Sequence, residues 1–209
     1  MKKTCLFLLG LALAFGAEAQ SKLGIKLSPT LSSNRINYDG NDAAFSSDGV
    51  GGRFVFGPIY DHFLTDNYSF STGLLYAPKR VGLEIRQGGV TRTESYRLQY
   101  LQLPVTLKLF TNELALDTRL FFQLGGLIDI KINEKADVTG TPVVDRFQFF
   151  DVGIHLGAGV EHRLGYNTIL FGGFFYNRGL VNAAAKVNGL GDKLRINNDL
   201  LGLDLGVKF

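Results

Sequence analysis

The residues of this chain that could do chemistry lie in segments of alternating polarity. His155 follows Asp151 by four residues, and a histidine oriented by a carboxylate can act as a general base. Residues four apart in a β-strand are about 13 Å from one another, too far for the direct hydrogen bond that such a pair needs. We therefore expect His155 to be a hydrogen-bonded interior histidine, although a neighbouring strand could supply a partner that the sequence does not reveal.

The sequence offers even less evidence for a metal site or a phosphate-binding loop than for a catalytic histidine. His62 and His162 each flank a short predicted turn, and Cys5 is the only cysteine. Because metal sites are built from clusters of histidine, cysteine and carboxylates, we predict no catalytic, cofactor-binding or metal-ligating residues. Four Gly-Gly pairs lack the lysine and Ser/Thr that follow in a phosphate-binding loop, so we interpret them as strand bends or turns. They are Gly51-Gly52, Gly88-Gly89, Gly125-Gly126 and Gly172-Gly173.

The first nineteen residues have the composition of a cleaved targeting signal. Lys2 and Lys3 precede an apolar run over residues 5–15, which is too short to span a bilayer. Ala17-Glu18-Ala19 then fits a small-x-small cleavage site. We expect residues 1–19 to be a cleaved signal peptide, with an uncleaved anchor helix as the alternative.

Cleavage would leave one domain of ordinary size over residues 20–209. The formal net charge would fall from +3 to +2, because Lys2, Lys3 and Glu18 would be lost. A nearly neutral chain offers no electrostatic reason to bind nucleic acid. Cleavage would also remove Cys5 and Met1, which are the only cysteine and the only methionine, so no disulfide is expected.

Alternation of apolar and polar residues predicts eight strands and no helices in this domain. In the last of them, Leu201, Leu203 and Leu205 share one face, while Asp204 and Lys208 lie on the other. The seventh has apolar residues on both faces, so its lipid side is left open. The predicted strands are about Lys22–Ser32, Gly49–Phe63, Tyr68–Lys79, Ser95–Phe110, Asp117–Ile132, Phe147–Leu164, Asn167–Arg178 and Asn198–Phe209.

The predicted connections alternate between long and short. The long ones cover residues 33–48, 80–94, 133–146 and 179–197, and the short ones cover 64–67, 111–116 and 165–166. Outer-membrane β-barrels have an even number of strands, long extracellular loops and short periplasmic turns. The order of the connections therefore predicts an all-β, eight-stranded antiparallel up-and-down transmembrane barrel with both termini in the periplasm. Partner recognition would then belong to the long loops.

Charged residues in the middle of strands are predicted to point into the barrel. An eight-stranded barrel is just wide enough for side chains to fill it, and buried charges must be paired, so we expect a charged network that plugs the lumen. Three alternatives stay open: a narrow anion-preferring pore, an outer-membrane enzyme with a polar triad at one rim, and a soluble periplasmic ligand-binding barrel with its apolar face inside. The predicted inward set is Lys26, Arg53, Asp61, Lys79, Lys108, Arg119, Asp129, Lys131, Asp151, Glu161, Arg163, Asp204 and Lys208.

Several segments resemble the PorT-like outer-membrane β-barrel family of Bacteroidetes. Residues 100–108 (YLQLPVTLK) are similar to its "YLxLPxxLK" strand, and residues 153–161 (GIHLGAGVE) to its "GxxxGxGxE" strand. Residues 73–76 and 202–209 resemble its third and closing strands. The resemblance implies an eight-stranded outer-membrane barrel; one branch of that family takes part in secretion or gliding.

Together these observations predict a non-enzymatic integral outer-membrane barrel without cofactors. Its expected work is structural or surface contact, with an accessory role in secretion as one option. The expected partners are outer-membrane lipid, lipopolysaccharide, and a protein bound at the extracellular loops or in a secretion assembly.

Overall fold

The computed structural model describes residues 21–40, 44–138, 140–188 and 193–209, and most of them form β-strands. The predicted signal peptide therefore lies outside the described residues. Within those ranges, no helix is both long enough and apolar enough to cross a membrane. The strands are β1 (Ser21–Tyr38), β2 (Ala44–Ser47), β3 (Gly51–Thr65), β4 (Tyr68–Gly73), β5 (Leu75–Gln87), β6 (Val90–Phe110), β7 (Thr118–Asp137), β8 (Val144–Phe147), β9 (Phe150–Arg163), β10 (Ile169–Gly179), β11 (Ala184–Val187) and β12 (Leu194–Lys208).

Eight antiparallel strands close into a ring. Around the ring, β1 is followed by β3, then by β4 together with β5 as one barrel strand, and then by β6, β7, β9, β10 and β12. Strands β4 and β5 together form one barrel strand that is interrupted at Leu74. Strand β1 pairs with β12 on one side and with β3 on the other, which closes the ring. The predicted eight-stranded antiparallel up-and-down barrel is confirmed.

The apolar face of the barrel points outward, as lipid requires. In β6, Leu103, Val105 and Leu107 are 37–42% exposed, whereas Gln102 and Lys108 on the opposite face are 2–3% exposed. A barrel dissolved in water would place its apolar face inside instead. The alternative of a soluble ligand-binding barrel does not fit this arrangement.

Strand β10 had no clear lipid side in its sequence, and the structure assigns one. Phe171 and Phe175 are 6% and 3% exposed and point into the lumen, while Leu170 and Phe174 are 44% and 72% exposed. The lumen therefore accepts aromatic rings as well as charges. Leu75, which breaks the alternation of the third predicted strand, is likewise an interior residue at 1% exposure.

The prediction of a long loop over residues 80–94 is wrong. Strands β5 and β6 continue through it to a two-residue turn at Gly88-Gly89. Both glycines have positive φ angles, 57° and 80°, as a tight hairpin turn of this kind requires. The interpretation of this pair as a turn is confirmed, whereas the other three Gly-Gly pairs lie within β3, β7 and β10.

Other long connections are also shorter than predicted. Strand β1 continues to Tyr38, β7 continues to Asp137, and β12 begins at Leu194. The remaining connections contain short strands: β2 pairs with β5, and β8 pairs with β11. The barrel wall therefore extends well beyond its apolar belt at this end, which we call the long-loop end.

Candidate functional site

The first group of interior charges lies toward the opposite, short-turn end and joins five strands. Lys208 Nζ lies 2.5 Å from Asp61 Oδ2 and also pairs with Glu161. Lys108 Nζ lies 3.0 Å from the same Asp61 oxygen, and Arg119 Nη2 lies 3.2 Å from Glu161 Oε2. We call these five residues the short-turn cluster. All of its members except Arg119 are at most 3% exposed.

A second group occupies the middle of the lumen. Lys26 Nζ lies 3.1 Å from Asp204 Oδ1, and Ser28 donates a 2.6 Å hydrogen bond to the same carboxylate. His155 Nδ1 lies 2.6 Å from the amide oxygen of Asn177. The neighbouring strand thus supplies the partner of His155, because β9 and β10 pair these two residues directly.

A third group, the upper cluster, lies nearer the long-loop end. Lys79 Nζ is 2.6 Å from Asp129 Oδ2 and 3.3 Å from Asp151 Oδ2. Gln102 donates a 2.8 Å hydrogen bond to Asp129, and Asn198 donates a 3.1 Å bond to Asp151. Asp151 therefore belongs to this cluster. As expected from the strand spacing, it does not orient His155.

The predicted network is thus largely observed, with three differences of detail. Lys131 pairs with Glu134 at 2.5 Å, near the long-loop end. Arg53 is partly exposed and donates to the backbone carbonyl of Gly52. Arg163 is exposed and lines the mouth of the short-turn end. The contacts of the polar residues Ser28, Gln102, Asn177 and Asn198 were not predicted, since only the pairing of strands reveals them.

Little open space remains between these side chains. A cavity of about 20 Å³ lies in the middle, lined by Lys26, Gln102, Lys108 and His155 among others, which is room for about one water molecule. At the short-turn end the barrel opens into a vestibule of about 990 Å³. Its walls include Arg119, and the ion pair of Arg119 with Glu161 lies at its inner side.

At the long-loop end the interior is apolar. The inward residues of β5, β6 and β12 pack against the small sheet formed by β8 and β11 and the residues next to it. We call this group the apolar cap. Its buried members are Val81, Leu83, Ile85, Tyr96, Leu98, Tyr100, Val144, Phe147, Ala183, Ala184, Leu194 and Ile196.

One carboxylate is buried in the apolar cap, and it is fully engaged. Glu94 is 1% exposed. It accepts a hydrogen bond from the Tyr96 hydroxyl and a 3.0 Å bond from the Val143 amide, and it pairs with Arg92 at 2.6 Å. These bonds tie the connection before β8 to the inner wall of β6, so the cap is held by polar contacts as well as by burial.

The other two histidines lie at the short-turn rim. His62 Nδ1 is 3.0 Å from Ser21 Oγ, and His162 Nδ1 is 2.9 Å from Thr118 Oγ1. In the part of the chain that the structure describes, no three His, Cys, Asp or Glu side chains come together in a way that could hold a metal ion. The predicted absence of catalytic, cofactor and metal residues stays a prediction.

Comparisons with known proteins agree with this architecture. The outer membrane protein OprG from Pseudomonas aeruginosa is 12% identical, with a TM-score of 0.55 over 91% of this chain and 97% of that chain. Neisserial surface protein A is 13% identical, with a TM-score of 0.51 over 91% and 98%. At such low identities the likeness concerns the fold alone. A search of curated proteins found no match. The family model described as outer membrane protein beta-barrel domain matches residues 17–184, and the chain therefore belongs to this family of outer-membrane proteins.

Proposed function

We propose that the chain is a non-enzymatic, non-conducting barrel that acts in the outer membrane as a structural or surface-contact protein. The observation that carries the proposal is the filled lumen. Two layers of paired charges surround a cavity of about 20 Å³, and the apolar cap packs above them. Among the described residues, the middle of the lumen thus has room for about one water molecule, which is too little for a solute to pass.

We further propose that residues 1–19 are removed as a signal peptide and that residues 20–209 form the mature barrel. Both ends of the described domain support a periplasmic location for the termini. Ser21 pairs with His62 beside a short turn, and the Phe209 amide bonds the Leu23 carbonyl at the same rim. The long-loop end, with the apolar cap, would then face the cell exterior.

The PorT-like resemblance supports a more specific role as a proposal. Its best-matching segment, residues 100–108, forms the lipid-spanning half of β6, and residues 153–161 form most of β9. An accessory role in secretion would place a protein partner on the long-loop end or against the outer wall. Such a role would require no active site.

The environment of His155 favours a non-enzymatic role. Its ring is stacked on Phe175, with 5.6 Å between centroids, and the side chain is 3% exposed. Its hydrogen-bond partner is an amide oxygen, which cannot stabilise a protonated imidazole as a carboxylate does. A substrate would also have to displace the packed lumen to reach it.

A narrow anion-preferring pore is the second candidate, and one observation favours it. The short-turn cluster contains three cations, Lys108, Lys208 and Arg119, against two carboxylates. It lies at the inner side of an open vestibule. Movement of the apolar cap would be needed before this surplus positive charge could guide an anion through the barrel.

Membrane residence is the first property to test. The full chain with its signal would be expressed, and outer membranes would be extracted with carbonate and analysed by electrophoresis with and without boiling. We expect retention in the membrane and a heat-dependent change in migration, because closed barrels resist detergent unfolding. Release into the aqueous fraction without a migration change would contradict the proposal.

Conductance then separates the two candidates. Purified protein would be inserted into planar bilayers, with a porin of known conductance as the control for insertion. We expect no current steps from the wild-type chain. Anion-selective steps whose selectivity falls in Arg119→Gln would instead establish the pore.

A further inference from the structure

The outer wall at the long-loop end has a row of like charges on neighbouring strands. Strand pairing places Arg80 directly opposite Arg97, and Arg97 directly opposite Lys135. All three face away from the apolar cap, since the residues that alternate with them, such as Val81 and Leu98, point into it. We call Arg80, Arg97 and Lys135 the cationic row.

The row crosses three neighbouring strands, β5, β6 and β7. Like charges directly opposite one another destabilise a sheet. The arrangement therefore favours an anionic ligand that would offset the repulsion.

Neighbouring carboxylates offset only part of this charge. Asp48 pairs with Arg80, with 2.7 Å between Nη2 and Oδ2. Glu84 pairs with Arg86 further along β5, and Asp137 lies opposite Ser95, one step beyond Lys135. Among the described residues, neither Arg97 nor Lys135 forms an ion pair, and both are exposed.

The height of the row relative to the apolar belt indicates the kind of ligand. Leu101 is the last outward apolar residue of β6, and Gln99 and Arg97 follow it toward the long-loop end. Four residues of strand span about 13 Å, or roughly 10 Å along the membrane normal at the usual barrel tilt. Long basic side chains can also reach back toward the membrane surface. The row thus lies at the level of lipid headgroups.

We infer that the cationic row binds the phosphate groups of lipopolysaccharide in the outer leaflet. This inference rests on the proposed orientation, in which the long-loop end faces the exterior. Guanidinium groups bind phosphate oxygens in pairs through charge-assisted hydrogen bonds. Three cations on adjacent strands suit the two phosphates of one lipid A headgroup better than the single phosphate of a phospholipid.

The opposite side of the wall provides a matched control. Arg178 of β10 is also exposed and faces outward, but its cross-strand neighbour is Asp199. Asp199 in turn pairs with Arg35 of β1 at 2.8 Å. Asp199 lies between two arginines there and leaves an excess of one positive charge, against two in the cationic row, so loss of Arg178 should change lipid A binding little.

Binding of purified lipid A to the full-length barrel in detergent would be measured by native mass spectrometry. We expect Arg97→Gln combined with Lys135→Gln to weaken binding roughly tenfold or more, since two charge-assisted contacts are lost, and Arg178→Gln to weaken it far less. Dephosphorylated lipid A and phosphatidylglycerol are expected to bind weakly to the wild type.

Equal binding of lipid A by the wild type and the double variant would overturn the inference. So would phosphatidylglycerol binding as strong as that of lipid A, which would assign the row to phospholipid phosphates. Heat-dependent migration would be recorded for each variant, so that loss of the barrel is distinguished from loss of the site. Protease cleavage of the long loops in intact cells would test the orientation separately.

Discussion

Strand β6 has its apolar side chains on opposite faces in its two halves. Over residues 101–109 the outward side chains are apolar and the inward ones are mostly polar, whereas over residues 96–100 the inward ones are apolar and Arg97 and Gln99 face outward. The barrel strand formed by β4 and β5 changes in the same way. Its inward residue in the lipid-spanning half is the polar Ser71, whereas its inward residue in the other half is the apolar Leu83. The two halves face different solvents, lipid and water, and each puts its apolar residues away from water.

The two interiors are consequently stabilised by different interactions. The lumen inside the lipid belt depends on ion pairs whose members are buried, and the removal of one partner leaves an uncompensated charge. The apolar cap depends on burial and packing, and a smaller side chain there leaves a cavity. Substitutions should therefore show whether the two regions unfold together or separately.

The largest effect is expected from Asp61→Asn in the short-turn cluster. This change leaves Lys108 and Lys208 buried without their shared carboxylate, at a cost of about 3–5 kcal/mol in the free energy of unfolding. Urea titration of the barrel in lipid vesicles, followed by circular dichroism, would measure it.

A charge-balanced variant provides the control for that experiment. Asp61→Leu combined with Lys108→Met removes one charge of each sign and keeps the Lys208–Glu161 pair. Most of the lost stability should return, because apolar replacement of a buried pair is often nearly neutral. If Asp61→Asn alone were neutral, the lumen would have to be hydrated enough to screen its charges.

The next effect is expected in the apolar cap, from Leu98→Ala. Leu98 is fully buried, and its truncation should cost about 2–5 kcal/mol, but only within the cap. Hydrogen exchange should accelerate in β8, β11 and the tip of the β5–β6 hairpin while the urea midpoint of the barrel stays in place. A midpoint shift as large as that of Asp61→Asn would mean that both regions form one cooperative unit.

Alternation over residues 101–109 was enough to predict the lipid face, because one period runs through the whole segment. Tyr100 and Leu101 are adjacent and both apolar, so the alternation of apolar and polar residues changes phase between them. That change hides the continuation of the strand, and residues 80–94 resemble a loop. A bulge beside Gln99 and Tyr100 shifts the register with β7 as well.

The contacts of the interior residues depend on strand pairing, which one sequence does not contain. The charge of Lys79 and its inward face were predicted, but its two carboxylate partners come from β7 and β9. His155 likewise finds Asn177 through the register of β9 with β10. Residue types thus predict that charges must be paired, while the choice of partner follows from the closure of the ring.

The position of the membrane boundary can be tested by placing the same charge on each side of it. Leu103→Arg puts a cation on the lipid face and should cost about 2–4 kcal/mol near the bilayer midplane. Gln99→Arg, four residues away on the same face, should be nearly neutral. Urea titration in vesicles would compare the two. Similar costs for both would place the boundary further toward the long-loop end than the change of face in β6 indicates.

The smallest effect is expected at the tip of the β5–β6 hairpin, in the water-exposed half. Gly89 has a φ of 80°, so Gly89→Ala should cost about 1–2 kcal/mol through backbone strain, whereas Gly88→Asn should be tolerated because Asn-Gly suits this turn. Hydrogen exchange of the hairpin amides would show faster opening in Gly89→Ala alone. Because the tip lies beyond the apolar cap, lipid A binding and heat-dependent migration should stay unchanged in both variants. A loss of either in Gly89→Ala would mean that the hairpin turn controls the packing of the whole long-loop end.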